Sequence, residues 1–179
     1  MRKTAKFFLV LTVALLLMLC FRALAFTVCT IEGQGLEPLL QQGDRVLVNR
    51  WSYGLRVGSS GGLFSYGRLG RRPVKRGDLV AFENPHDKEQ ILICRCSGIP
   101  GDSVNHDGLT LKLPSLADCA DADYYWMEAL SPKNPLDSRQ LGIISEELII
   151  GRVVMVVYSH NPKASPFFGW RHNRTLLPL

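Results

Sequence analysis

The sequence predicts a mostly-β domain carried on one apolar N-terminal helix, and three observations predict it. Ten prolines and sixteen glycines are scattered along the chain, which disfavours a helix bundle and favours short strands joined by turns. Short runs rich in β-branched residues recur between Gly, Pro, Asp and Asn. Residues 7–21 carry no charge, and Thr12 is their only polar member. With 179 residues, 46% hydrophobic and 21% charged, the chain has enough for one ordinary domain. The same composition excludes disorder, collagen-like repeats and coiled coil.

The N-terminal run resumes after Arg22 as far as Cys29 and Thr30. At about 1.5 Å per residue, 7–29 is long enough to cross a hydrocarbon core of about 30 Å. Arg22 lies near enough to one end to snorkel into the headgroups. Arg2, Lys3 and Lys6 precede the run, so the positive-inside rule keeps the N-terminus cytoplasmic. Residues 1–30 are therefore expected to be a basic tip and transmembrane anchor, and 31–179 an exported domain. Ala23-Leu24-Ala25 also fits the A-x-A site of a cleaved secretory signal. Arg22 beside that site, and an apolar stretch continuing past it, favour the uncleaved anchor.

In the exported part, 46–48, 79–82, 91–96, 124–127 and 148–158 read as strands. Asp107-Gly108 between 103–105 and 109–111 is a hairpin signal, because a type I′ turn needs positive φ at both central positions. The glycine-rich stretch 52–75 reads as a long excursion from the sheet. The tail 169–174 mixes aromatic and basic residues and reads as a solvated arm, with anionic headgroups as the alternative contact.

Lys plus Arg number 21 against 16 Asp plus Glu, a net charge of +5. The densest basic patch is Arg68, Arg71, Arg72, Lys75 and Arg76, interrupted by Gly67, Gly70, Pro73 and Gly77. It forms no helical stripe, so it reads as a loop and no nucleic-acid partner is expected. The five cysteines, 20, 29, 94, 96 and 119, lack the paired CxxC spacing of a zinc site. Their odd number argues against a disulfide framework, and neither a metal nor a cofactor is expected.

Past the apolar run come Gly33-Gln34-Gly35-Leu36-Glu37-Pro38-Leu39-Leu40, Gly43-Asp44-Arg45-Val46-Leu47-Val48, Lys75-Arg76-Gly77-Asp78, Cys94-Arg95-Cys96-Ser97-Gly98-Ile99-Pro100-Gly101-Asp102 and Asp137-Ser138-Arg139. In this order and at these spacings the chain resembles bacterial signal peptidase I. The run 33–40 is similar to that family's G-x-S-M-x-P-T-L, 75–78 to its K-R-G-D, and 94–102 to its K-R-x-x-G-x-P-G-D. Residues 137–139 match the end of its N-S-x-D-S-R. The resemblance implies a β-barrel or complex β domain on one N-terminal transmembrane helix, at the outer (periplasmic) face of the bacterial inner membrane.

The family cleaves preproteins with a serine hydroxyl activated by a neutral lysine amine, whose pKa must be lowered by desolvation. The position similar to the serine is Gly35, and the position similar to the lysine is Cys94. Nucleophile and base are both replaced. Loss of members of such a unit costs on the order of a millionfold in serine proteases, so a homologue without peptidase activity is expected. Binding by strand addition uses backbone groups that these substitutions leave in place. Gly35, Leu36, Pro38 and Cys94 are accordingly expected to line a peptide groove. Asp137, Ser138 and Arg139 match the element that buttresses the lysine, and are expected to be structural support. Cys94 itself reads as a small core cysteine. The partners implied are the lipid bilayer, signal peptides or exported preproteins, and secretion or assembly machinery. An active, diverged signal peptidase with a rebuilt centre, cleaving after A-x-A, is the alternative.

Overall fold

The computed structural model describes residues 2–31, 36–58, 66–106, 108–118, 120–131, 136–164 and 168–179. The helix α1 covers Arg2–Ala25. Among the described residues no helix is long and apolar enough to cross a membrane. The continuous apolar surface described on α1 covers residues 7–19, with Phe7 65% and Leu19 52% exposed. That stretch is about 20 Å long. The expected span to Cys29 is corrected at its far end, because the helix stops at Ala25 and Phe26–Thr30 is a strand, β1. Cys29 is buried in the core there, while Phe26, Val28 and Thr30 face outward. A two-residue period, not a helical one, accounts for those side chains.

The strands that follow are β2 (Asp44–Asn49), β3 (Leu55–Val57), β4 (Gly67–Leu69), β5 (Leu79–Asn84), β6 (Asp87–Gly98), β7 (Ser103–His106), β8 (Leu109–Lys112), β9 (Tyr124–Glu128), β10 (Ile144–Ser145), β11 (Ile149–Ser159) and β12 (Leu177–Pro178). The short helix α2 is Ser138–Leu141. The fold is therefore mostly β, as expected, and every strand expected from the sequence is present. The main sheet runs β1-β2-β11-β5-β6-β9-β10, with β12 beside β11. All its pairings are antiparallel. Among the described residues β1 and β10 do not pair, so the sheet is open and the expected barrel does not close.

Two apolar clusters hold the sheet. One gathers Leu40, Val46, Val48, Val153 and Val156 around β2 and β11. The other gathers Val80, Phe82, Cys94, Cys96, Tyr125 and Ile149 around β5, β6 and β9. Cys94 and Cys96 are two apart on one strand and share its buried face, while Arg95 between them is exposed.

The hairpin expected at 103–111 is β7–β8, paired from Ser103↔Lys112 to His106↔Leu109, with Gly108 at φ +78°. Asp107 lies outside the described residues. The excursion from the sheet contains the small hairpin β3–β4. Its Arg68, expected in a loop, lies in β4 instead, and its buried side chain pairs with buried Glu146 at 3.3 Å. It also donates to the carbonyls of Glu146 and Ile149. Arg71 pairs with Asp123 at 2.6 Å and with Glu146, and Arg76 with Asp102 at 2.7 Å. Most of the basic patch is thus spent internally.

The expectation of a solvated tail is corrected as well. Arg174, 13% exposed at its side chain, pairs with the fully buried Asp44 at 2.7 Å and donates to Leu39 O. Trp170 packs on Tyr158 at 5.4 Å, and β12 pairs with β11.

Candidate functional site

The site begins with two strand edges. β1 pairs with β2 on one side only, and β6 meets β9 only through Arg95, Cys96 and Gly98. Among the described residues, then, no strand lies beside the outer edge of β1 or on the β9 side of the 91–94 stretch of β6, whose other side pairs with β5. Four antiparallel steps separate β1 from β6 in the sheet order, so the two run parallel. Between them lies a groove of about 430 Å³. Thr27 and Ile91 line one end, and Ile31, Leu36, Cys94 and Leu136 line the other. Its size and its two open edges suit an extended peptide entering as an added strand.

Cys94 is 2% exposed, and its Sγ donates to Leu136 O at 3.7 Å. Burial, and secondarily the Asp137 carboxylate, push its thiol up to about 12, against an opposing pull from Arg139. At neutral pH it is a protonated thiol, neither a nucleophile nor a base. Leu36 is buried at 8% and its carbonyl accepts from Leu40 N at 3.0 Å, which opens the turn leading to β2. Pro38 follows a cis peptide and is exposed, away from the described groove lining. Gly35 lies outside the described residues.

Asp137, Ser138 and Arg139 lie under the Cys94 end. Asp137 is fully buried and caps α2 through Arg139 N. Its carboxylate accepts from Ala129 N at 2.9 Å and pairs with Arg139 at 2.6 Å. Burial alone would raise its pKa; the hydrogen bonds from Arg139 and Ala129 overcome that and hold it below the usual carboxylate range. Ser138 Oγ accepts from Met127 N at 2.8 Å. The three residues thus tie the end of β9 to α2, and with it the carbonyl of Leu136 that meets Cys94.

The glycine-aspartate pairs of the motifs form one turn built three times. Gly43, Gly77 and Gly101 have φ of +90°, +92° and +88°. Each following aspartate closes the turn by accepting from the backbone N–H three residues earlier. The pairs are Gln41 N to Asp44 at 2.9 Å, Lys75 N to Asp78 at 3.2 Å and Ile99 N to Asp102 at 2.7 Å. Each aspartate also meets a cation, Arg174, Arg152 or Arg76 respectively. These motifs launch β2, β5 and β7; none of the three aspartates lines the groove among the described residues.

A comparison with known protein families matches residues 4–113, more than half of the chain, to the family described as signal peptidase, peptidase S26. The chain belongs to the signal peptidase S26 family. It is 32% identical over 83 residues to Signal peptidase I of Buchnera aphidicola subsp. Baizongia pistaciae (strain Bp), covering 46% of this chain and 26% of that protein. It is 26% identical over 136 residues to mitochondrial inner membrane protease subunit 2 of Danio rerio, covering 73% and 63% respectively. The mouse (Mus musculus) protein of that name is 23% identical over 159 residues, covering 84% and 74%. The chain thus spans about a quarter of the Buchnera protein and under two thirds of the zebrafish one.

Within the signal peptidase pattern, the described lining of the groove contains no serine, lysine or histidine. His86, His106, His160 and His172 are absent from it, and Cys94 is among the residues that line it. Sequence reasoning missed the β1 wall and Leu136. The trace it carried was the two-residue period of Thr27, Cys29 and Ile31, hidden inside a longer apolar run.

Proposed function

We propose that this signal peptidase family member holds extended segments of exported proteins, signal peptides among them, in the groove between β1 and β6 without cleaving them. The observation that carries the reading is Cys94. The side chain in the family's lysine position is a buried thiol, held protonated and turned to Leu136 O, beside strand edges still free to accept backbone hydrogen bonds. A neutral thiol supplies no base for a hydroxyl, and Gly35 supplies no hydroxyl. Leu36 remains as an apolar lining residue. Asp137, Ser138 and Arg139 act as the scaffold beneath, through the bonds to Ala129, Met127 and α2.

We further propose that α1 anchors the chain in the inner membrane with its basic N-terminus in the cytoplasm and the β domain outside. Support comes from its outward apolar side chains, Phe7, Leu11 and Leu17 among them at 65%, 56% and 66% exposure, and from Arg2, Lys3 and Lys6 before them. Associated secretion or assembly machinery is the partner class this position suggests.

The test uses the full chain extracted in detergent and a photoreactive signal peptide ending in A-x-A. The expected result is crosslinking to groove residues, an intact peptide by mass spectrometry, and weaker crosslinking when Leu36→Trp fills one end. Cleavage after A-x-A by the wild type overturns the reading; its loss in Cys94→Ala would make the protein a diverged thiol-dependent peptidase.

A further inference from the structure

Beyond the Thr27 and Ile91 end of the groove, the surface opens into a second cavity of about 380 Å³, and both residues line it too. The character of the walls changes there. The second cavity is lined by Arg50, Arg56 and Glu83. Arg56 is committed to Glu83 by a two-point pair at 2.7 and 3.4 Å. Arg50 uses its backbone N–H to hold Ala25 O at 2.9 Å. Arg50 is half-buried as a residue, and no carboxylate pairs with its guanidinium within 4 Å among the described residues. The second cavity's own lining therefore carries one cation in excess, while the adjoining groove is lined near Ile91 by the exposed Glu89.

We infer that the segment held in the groove carries an acidic side chain that reaches Arg50. This deepens the peptide-binding reading and rests on it. The distance is set by the strands. From Ile31 to Thr27 is four residues of β geometry, about 13 Å, and from Cys94 to Ile91 about 10 Å. The acidic residue therefore lies about three to five positions along the bound strand from the residue facing Cys94. A carboxylate there gains a charge-assisted hydrogen bond from the guanidinium of a half-buried arginine that has no carboxylate partner among the described residues. The continuity of the two cavities through Thr27 and Ile91 favours one ligand crossing both over a separate anion.

The experiment uses the full chain in neutral detergent and labelled ten-residue alanine-serine peptides. A single aspartate is walked along them, each peptide matched by its asparagine counterpart, and binding is read by fluorescence anisotropy. At one position or two neighbouring ones the aspartate peptide is expected to bind about tenfold tighter than its partner. Raising the salt should shrink that ratio, and Arg50→Gln and Arg50→Ala should each bring it close to one. Equal binding of the pair at every position overturns this inference alone. Failure of all peptides to bind overturns the groove reading and this inference with it. Displacement of the aspartate peptide by anionic phospholipid vesicles, but not by neutral ones, would reassign Arg50 to a lipid phosphate and equally overturn it.

Discussion

Cys94 carries the proposed loss of peptidase chemistry, and its thiol makes the first measurable claim. A pKa pushed up to about 12, against about 8.5 for an unperturbed thiol, lowers the thiolate fraction on the order of a thousandfold at pH 8. Alkylation of Cys94 by iodoacetamide in the folded protein should be at least about a hundredfold slower than in the urea-unfolded chain. Peptide mass spectrometry of the labelled sites gives the ratio, and equal rates would mean an ionised, reactive thiol. Beneath it, Asp137→Ala removes an acceptor from Ala129 N and Arg139. The orphaned donors should cost roughly 2 kcal/mol. The ion pair itself adds little, since Arg139 is 48% exposed. Urea titration measures the sum. The assignment of Gly35 and Cys94 to the positions similar to the family's serine and lysine rests on motif spacing alone. The burial of Cys94 was legible in the sequence, as a small apolar core cysteine, but its turn toward Leu136 was not, because that depends on a chain segment 42 residues away.

Among the elements, the repeated glycine-aspartate turn separates two costs that a sequence cannot distinguish. Gly43, Gly77 and Gly101 share the same backbone conformation, but their surroundings differ. A Cβ at Gly101 meets nothing within 4 Å, whereas one at Gly43 would lie 1.9 Å from His160 O. Gly101→Ala should therefore cost only the left-handed strain, about 1 kcal/mol. Gly43→Ala should cost well over 3 kcal/mol, because backbone has to move. Thermal melts of the two variants side by side decide it, and equal shifts would mean that the approach of His160 is not maintained. The strands expected at 79–82, 91–96 and 148–158 were legible because β-branched runs end at turn residues, and they are found within or beside β5, β6 and β11. β1 was not, because Phe26–Thr30 continues the apolar composition of α1 and only the change of period divides them. β10 and β12, two residues each, are made by their neighbours and leave no pattern of their own.

For the molecule as a whole, two buried carboxylates set the response to acid. Asp44 and Asp137 are both desolvated, which alone would raise them, yet hydrogen bonds from Arg174 and Gln41, and from Arg139 and Ala129, hold both below the usual range. A carboxylate lowered in the folded state contributes stability that is complete above its unfolded pKa of about 3.9 and lost as pH falls through the folded value. Stability should hold from neutral pH down to about pH 4 and then fall, with a shallower acid limb in Asp137→Asn. Denaturant titrations across pH 2–7 test this, and an unchanged slope would remove Asp137 from the account. Arg174→Ala leaves the buried Asp44 with Arg171, 4.0 Å away, as its one remaining cation among the described residues. The cost should be about 3 kcal/mol, or a melting temperature lower by roughly 6–12 °C.

The junction of α1 and β1 has a mechanical consequence. Phe26 follows Ala25 without an intervening residue, Arg50 N clasps Ala25 O, and the Phe21 ring abuts Trp51 at 5.0 Å. The mouth of the groove at Thr27 thus stands two residues from the end of the helix, with no tether to pay out. Under the proposed anchoring and peptide binding, the surface that holds the helix would fix the height at which a guest strand must arrive, and a spliced Gly-Ser spacer after Ala25 would turn this rigid gauge into a loose one.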